Sequence, residues 1–138
     1  MDNLKIYCMC LDNNYLSAVK KLNYIPVGLK NKNFSKDWLL DNTLEHISEK
    51  NPFYGEYTFY YWYWKNLLRI KKKDDWVGFC SYRELWGENK EIKNRNSINS
   101  LLKCLPKEWE GYETIIGEPT VLNRPKWLKL IKHGKISM

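Results

Sequence analysis

The sequence predicts one α/β domain in which a small parallel or mixed sheet is flanked by helices. Short apolar runs bounded by turn residues, which are typical of buried strands, alternate along the chain with segments of helical periodicity. The length of 138 residues is sufficient for one hydrophobic core and too short for two. We therefore expect residues 1–138 to form a single domain.

The first elements are expected in the order strand, helix and loop. Residues 4–11 form an apolar run that predicts a strand, and Asp12-Asn13-Asn14 predicts the turn that ends it. Residues 15–22 predict a short helix. Pro26 and Gly28 indicate that residues 23–33 form a loop, and we expect Trp38, Leu39 and Leu40 to pack under a loop or a single turn.

The clearest predicted helix begins at Asn51-Pro52 and continues to about Arg69. Asparagine is a favoured N-cap, and proline at the first helical position has no backbone donor to lose. Nine of the twelve residues from Phe53 to Trp64 are aromatic. The helical period predicts that one broad stripe of side chains faces the core. This stripe consists of Phe53, Tyr57, Tyr60, Tyr61, Trp64 and Leu68. Tyr54, Trp62 and Tyr63 lie on other faces, so either the helix is buried on nearly every side or it presents rings to a cleft or a partner.

Four further elements follow in the second half of the chain. Residues 76–82 predict a buried strand between charged flanks, and residues 96–105 predict an amphipathic helix ended by Pro106. A third strand is expected at 113–117, and a last helix at 125–133 between Pro125 and Gly134.

Composition favours an anionic ligand without identifying it. The net charge is +7, and aromatic residues make up 15% of the chain. Solvated lysines and a ring-filled core account for these values as well as a binding cleft does.

The four cysteines lack the spacing of a metal site, which favours reduced thiols. The N-terminus carries no signal-peptide pattern, so we expect a cytoplasmic protein.

Two groups of polar residues are candidates for a functional site. Ser48, Lys50, Asn51 and Glu56 lie at the start of the predicted aromatic helix, where free backbone amides favour anions. An ordinary capped helix start explains them equally well. Residues 82–84, Tyr-Arg-Glu, follow the strand at 76–82, and ligands of open α/β sheets bind at the carboxyl ends of strands. A salt bridge at the rim of the sheet is the alternative.

The same residues carry a resemblance to a bacterial family. Its first block here is Ile47–Pro52, followed by a group of single positions, and its second block is Val77–Cys80 with Tyr82-Arg83. The single positions are Tyr54, Glu56, Thr58, Tyr61, Trp62, Trp64, Lys65 and Asn66. In order and spacing, both blocks resemble a glycosyltransferase-like family of capsule and exopolysaccharide loci that was first classified as a domain of unknown function.

The resemblance implies a nucleotide-sugar-binding fold of the GT-A kind and a sugar-transfer reaction. It implies that Ser48, Lys50, Asn51 and Arg83 bind the donor, and that Trp62 or Tyr82 stacks on a sugar face. Glu56 and Glu84 would then be the catalytic carboxylates. The implied partners are a nucleotide-sugar donor and a glycan or lipid-linked glycan acceptor, with no nucleic acid. Peripheral association with the inner membrane face would follow from a lipid-linked acceptor.

Several departures from the family pattern leave a second interpretation open. Ser81 stands where the family has histidine, Gly55 replaces a cysteine, and Glu84 replaces a second arginine. Family domains continue beyond the position that matches Met138. These differences favour a catalytically inactive or truncated member that binds a glycan or a partner.

No Asp-x-Asp motif is present, so both metal-independent action and use of Mg²⁺ or Mn²⁺ remain open. A basic, aromatic nucleic-acid-binding domain is a third interpretation, disfavoured because the basic residues are scattered.

Overall fold

A computed structural model describes residues 4–29, 33–70, 75–87 and 101–117 of the chain. Four strands form one sheet: β1 (Leu4–Cys10), β2 (Ile25–Gly28), β3 (Leu39–Leu40) and β4 (Trp76–Ser81). The helices are α1 (Leu16–Lys21), α2 (Asn51–Tyr54) and α3 (Tyr57–Asn66). Short 3₁₀ turns lie at Asn13–Tyr15, Ser48–Lys50, Leu68–Ile70 and Lys107–Trp109.

The sheet is parallel in every described pair, with the strand order β3-β2-β1-β4. Cys8 of the central strand β1 is in register with Pro26 on one side and with Cys80 on the other. The predicted α/β class with a small parallel sheet is therefore confirmed.

The two faces of β1 point into two different core layers. Ile6, Cys8 and Cys10 pack with Val19 and Leu22, from α1 and its end. Tyr7 and Met9 point the other way and pack with aromatic residues of α3, namely Phe59, Trp62 and Tyr63. This alternation follows from the two-residue period of a strand, and it places helices on both faces of the sheet.

Two strands lie where the sequence predicts loop or irregular structure. β2 falls inside the predicted loop 23–33. The sequence predicts a loop there because Pro26 has no backbone N–H to donate within a sheet, which argues against a central strand. β3 has only two residues, which is too short for an alternating pattern to appear. Asn23 adopts a positive φ of 59° directly after α1 and turns the chain into β2.

The long predicted helix is broken near its start. It begins at Asn51 as expected, but Gly55 takes a φ of 57° and separates α2 from α3. Glycine tolerates this conformation because it has no Cβ. The predicted core stripe is wrong for most of its members. Tyr60 packs against the core as expected, but Phe53 is 88% and Trp64 is 54% exposed, whereas Phe59, Trp62 and Tyr63 face the sheet.

The elements expected after β4 differ from the structure wherever they can be compared. Residues 113–117 form no strand, and Ile116 is an exposed side chain there. Residues 101–105 are not helical, because Leu101 bridges Gly87 and the amide of Leu102 donates to the carbonyl of Trp86. The rest of the predicted 96–105 helix and the 125–133 helix lie outside the described residues.

Candidate functional site

The strand order creates a switch point at the carboxyl edge of the sheet, between β1 and β4. The chain moves from β1 to β2 and β3 on one side, and then returns to place β4 on the other side. Connections that leave adjacent strands in opposite directions open a crevice between them, where α/β proteins bind ligands. The residues that follow β1 and β4 therefore define the first candidate site.

A tight turn directly after β4 presents three of the predicted site residues. The Ser81 amide donates to the carbonyl of Glu84 at 3.3 Å, and the Glu84 amide donates to the carbonyl of Ser81 at 3.1 Å. The Tyr82 amide donates to the carbonyl of Met9 at 3.1 Å, which ties the turn to β1. Tyr82 and Arg83 consequently occupy the tip of a turn anchored at the switch point.

Two aromatic rings and a cation meet across this switch point. The ring of Tyr15, which comes from the segment after β1, lies 4.4 Å from the ring of Tyr82 between centroids. The guanidinium carbon of Arg83 lies 5.4 Å from the centroid of the same Tyr82 ring. Arg83 is exposed, so its charge is available to an anion while its guanidinium carbon lies over the Tyr82 ring.

Polar residues after β1 form the other side of the switch point. The Asp12 carboxylate accepts a hydrogen bond from the Asn14 amide at 2.8 Å and caps the 3₁₀ turn that precedes α1. The Asn13 side chain donates to the carbonyl of Asn33 at 2.7 Å and accepts from the Ser35 amide at 3.2 Å. These bonds connect the loop after β1 to the segment that leads into β3.

A second cluster of polar residues is buried at the carboxyl end of β3. The Thr58 hydroxyl lies 2.6 Å from Oδ2 of Asp41, the residue that follows β3, and donates to it. The side-chain nitrogen Nδ2 of Asn51 donates to the Thr58 hydroxyl at 3.1 Å and to the carbonyl of Gly55 at 2.7 Å. Asp41, Asn51 and Thr58, named here the Asp41 network, join β3 to the starts of α2 and α3.

Burial governs the electrostatics of the Asp41 network. Asp41 is 1% exposed, and desolvation raises the pKa of its carboxyl group above the ordinary value. The hydrogen bond from the Thr58 hydroxyl, the backbone amide of Asp41 and the Coulombic interaction with His46 oppose that rise in pKa. Oδ1 of Asn51 is buried and accepts no hydrogen bond from the described part of the chain.

Next to this network, the loop before α2 carries a small polar group. Nδ1 of His46 lies 3.0 Å from the Ser48 hydroxyl and 3.6 Å from Oε2 of Glu49. Lys50 and Glu56 are exposed on either side of α2. They are the two side chains of the first predicted group that solvent and ligands can reach freely.

The structure separates the predicted residues into two places. Tyr82, Arg83 and Glu84 follow β4, whereas Asn51 lies beside Asp41 at the end of β3, together with its neighbours Ser48 and Lys50. β2 and β1 stand between β3 and β4. Three inter-strand spacings amount to about 14 Å along the carboxyl edge. The two groups therefore mark the two ends of one edge of the sheet.

Three predicted ligand-binding residues are buried in this arrangement. Ser48 and Asn51 are enclosed by the polar contacts described above. Trp62 is 3% exposed, its ring stacks on Phe59, and its Nε1 donates to the carbonyl of Thr43 at 2.6 Å. These side chains hold the loop and α3 in place, so the half-buried Tyr82 is the remaining candidate for stacking on a sugar.

Asp41, Thr58 and Tyr15 belong to the two clusters, although sequence reasoning did not select them as site residues. Asp41 follows a strand too short to predict, so its place at the carboxyl edge was hidden. Thr58 is the polar exception on the buried face of α3, but the sequence did not reveal which face is buried, so it carried no signal for this residue. Tyr15 follows the predicted first strand by only a few residues.

The described residues contain neither a cluster of metal ligands nor a helix that could span a membrane. No group of three or more His, Cys, Asp and Glu side chains in the described part of the chain is arranged to hold a metal ion. Within residues 4–29, 33–70, 75–87 and 101–117, no helix is long and apolar enough to cross a membrane.

Comparison with known proteins adds one finding. A family model described as a domain of unknown function, DUF4422, matches residues 5–133, which is nearly the whole chain. No curated protein and no solved structure matches the chain.

Proposed function

The chain belongs to the DUF4422 family of domains of unknown function, and we propose that it binds a nucleotide sugar along the carboxyl edge of its sheet. The reaction proposed is transfer of that sugar to a glycan or lipid-linked glycan during synthesis of a cell-surface polysaccharide. The observation that carries the proposal is the Tyr82–Arg83–Glu84 turn at the β1/β4 switch point.

Two exposed residues of the edge, Arg83 and Lys50, and the half-buried Tyr82 have roles in this proposal. Arg83 neutralises the diphosphate, for which a planar guanidinium with several donors is well suited. Tyr82 offers an aromatic face to the sugar or the base. Lys50 adds a positive charge beside α2, at the far end of the edge, so an extended ligand with separated polar groups fits the distance between the two clusters.

The proposed transfer breaks one bond and forms another at the anomeric carbon. The acceptor hydroxyl loses its proton to a carboxylate, for which Glu84, next to Arg83 in the same turn, is the exposed candidate. Glu56 is exposed too, but it lies beside α2 at the other end of the edge, too far from a diphosphate on Arg83 to take this proton. The acceptor oxygen then bonds to the anomeric carbon, and the bond from that carbon to the diphosphate oxygen breaks. The nucleoside diphosphate departs with its extra negative charge next to Arg83.

A direct binding experiment tests the proposal. The full chain is titrated with a panel of nucleoside-diphosphate sugars by calorimetry, with Mg²⁺ or Mn²⁺ and with a chelator. We expect heat and an increase in melting temperature for at least one donor, because a ligand that binds the native state stabilises it. A folded protein that responds to no donor under any of these conditions refutes donor binding.

A second candidate is a binding module without transferase activity. Ser81, at the end of β4 where the resembled family has histidine, is a buried side chain without acid–base chemistry near neutral pH. This module would bind an oligosaccharide and release no nucleoside diphosphate. Oligosaccharide binding in the absence of any response to nucleotide sugars selects it over the transferase.

A further inference from the structure

The outward side of α3 and its end form an exposed surface that the candidate site does not use. Tyr57 and Trp64 lie on one side of the helix, seven residues apart, and are 70% and 54% exposed. Leu68 continues this line, and Ile70 follows it with 75% exposure. We call these four residues, together with Lys65 and Arg69, the α3 surface.

Basic residues are interleaved with these apolar side chains. Nζ of Lys65 lies 4.8 Å from the centroid of the Trp64 ring, and it pairs with Oε1 of Glu45 at 2.8 Å. Arg69 is exposed. The stretch from Trp64 to Lys73 contains five Lys and Arg residues and no Asp or Glu, because Lys71-Lys72-Lys73 follows Ile70 directly in the sequence.

We propose that the α3 surface binds the anionic surface of a lipid bilayer. Tryptophan and tyrosine rings have an apolar body and a polar edge, which favours their insertion at the level of lipid headgroups. Neighbouring Lys and Arg are attracted by the negative surface potential of anionic lipids. The exposed line of aromatic and aliphatic side chains, together with Lys65 and Arg69, combines both attractions on one side of the protein.

A second copy of the chain fits this surface less well. A symmetric dimer places the same patch of both copies face to face, so the basic residues of both copies would repel each other. A flat glycan-stacking platform is also disfavoured, because the neighbouring rings of Tyr61 and Trp64 are inclined by 79°.

The α3 surface and the switch point lie on different sides of the sheet. α3 packs on the face of β1 that carries Tyr7 and Met9, whereas Tyr82 packs with the core layer on the opposite face. A bilayer along α3 therefore leaves the Tyr15–Tyr82 pair uncovered. The inference does not depend on nucleotide-sugar binding.

Vesicle sedimentation with the full chain tests the proposal. We expect the protein to pellet with vesicles of phosphatidylcholine mixed with phosphatidylglycerol, to pellet much less with phosphatidylcholine alone, and to be released by high salt. The double variant Trp64→Ser/Leu68→Ser removes two exposed apolar groups, and we expect its vesicle affinity to fall roughly tenfold. Arg69→Glu is expected to reduce the affinity by about fivefold or more.

A matched control replaces exposed apolar residues elsewhere. Tyr112→Ser/Ile116→Ser removes side chains that are 62% and 78% exposed, and it is expected to bind vesicles like the wild type. Far-UV circular dichroism establishes folding, and Arg69→Glu carries the test if the Trp64 double variant unfolds. Absence of pelleting with the mixed vesicles, or equal loss in the control, overturns the proposal. A dimer abolished by Trp64→Ser/Leu68→Ser, without vesicle binding, assigns the surface to a second copy instead.

Discussion

The hydroxyl of Thr58 donates a hydrogen bond of 2.6 Å to the buried carboxylate of Asp41. This bond joins the end of the edge strand β3 to the first turn of α3, across a sequence separation of 17 residues. The side chain of Asn51 donates to the same hydroxyl, so the Thr58 side chain links the end of β3 to the starts of α2 and α3. The loop with Ser48 and Lys50 lies between these elements and depends on the same connection.

Thr58→Val removes the hydroxyl and keeps the shape of the side chain. We expect the free energy of unfolding to fall by about 1–3 kcal/mol, because the Asp41 carboxylate loses a donor while it remains buried. Urea denaturation measures the change. Thr43→Val is the matched control. The Thr43 hydroxyl donates to the carbonyl of Leu40, but Thr43 is exposed, so the free energy of unfolding is expected to change by no more than roughly 0.5 kcal/mol. Equal effects of the two substitutions contradict a special role of the Asp41 network.

Asp41→Asn tests the ionisation of the same carboxyl group. Burial raises the pKa of Asp41 in the folded state above the ordinary value of 3.8, so this carboxyl group binds more protons in the folded protein than in the unfolded chain in the pH range above 3.8. The contribution of Asp41 to the free energy of unfolding therefore rises as the pH falls through this range.

The asparagine variant lacks this contribution because its amide does not titrate. We expect the wild-type stability minus the variant stability to increase on acidification and to level off below the ordinary pKa of 3.8. Urea denaturation of both proteins over a pH series measures the difference. If the difference decreases on acidification, the hydrogen bond from Thr58 lowers the pKa of Asp41 by more than burial raises it.

Trp62→Ala and Trp64→Ala separate the buried and the exposed sides of α3. Trp62 is stacked on Phe59 and enclosed in the core, so its removal is expected to cost about 3–5 kcal/mol. Trp64 is half exposed and faces away from the sheet, so its removal is expected to cost less than about 1 kcal/mol. Chemical denaturation of both variants measures these losses, and the reverse order refutes the side of α3 assigned to the core.

Arg83→Ala tests the proposed donor site. Arg83 is exposed at the tip of its turn, so stability is expected to change by no more than roughly 0.5 kcal/mol. Loss of a charge-assisted contact with a diphosphate is expected to weaken nucleotide-sugar binding by about tenfold or more. Calorimetry measures the affinity, and Lys107→Ala, an exposed cation in another turn, is the control. Parallel losses of stability and binding identify Arg83 as a structural residue.

Local sequence signals predicted the elements that have strong local causes. The apolar run before Asp12 forms β1, the Asn51-Pro52 start opens α2, and the run between charged flanks forms β4. In each case the residues themselves supply the cap, the missing donor or the buried side chains. β2 and β3 have no such signal: one contains proline and the other has two residues, and both are strands because neighbouring strands pair with them.

The candidate site shows the same division. The Tyr82–Arg83–Glu84 turn could be predicted, since it follows a recognisable strand. The pairing of Tyr15 with Tyr82 and the burial of Asp41 could not be predicted, because both depend on the order of strands in the sheet.

The sequence by itself determined the α/β class, the start of the aromatic helix and the strands β1 and β4. Only the tertiary structure decided which side of α3 is buried. Almost every side of that helix carries an aromatic ring, so hydrophobic periodicity cannot select one of them, and contact with Tyr7, Met9 and Phe79 on the sheet makes the selection. The same contact leaves Tyr57 and Trp64 exposed at the surface.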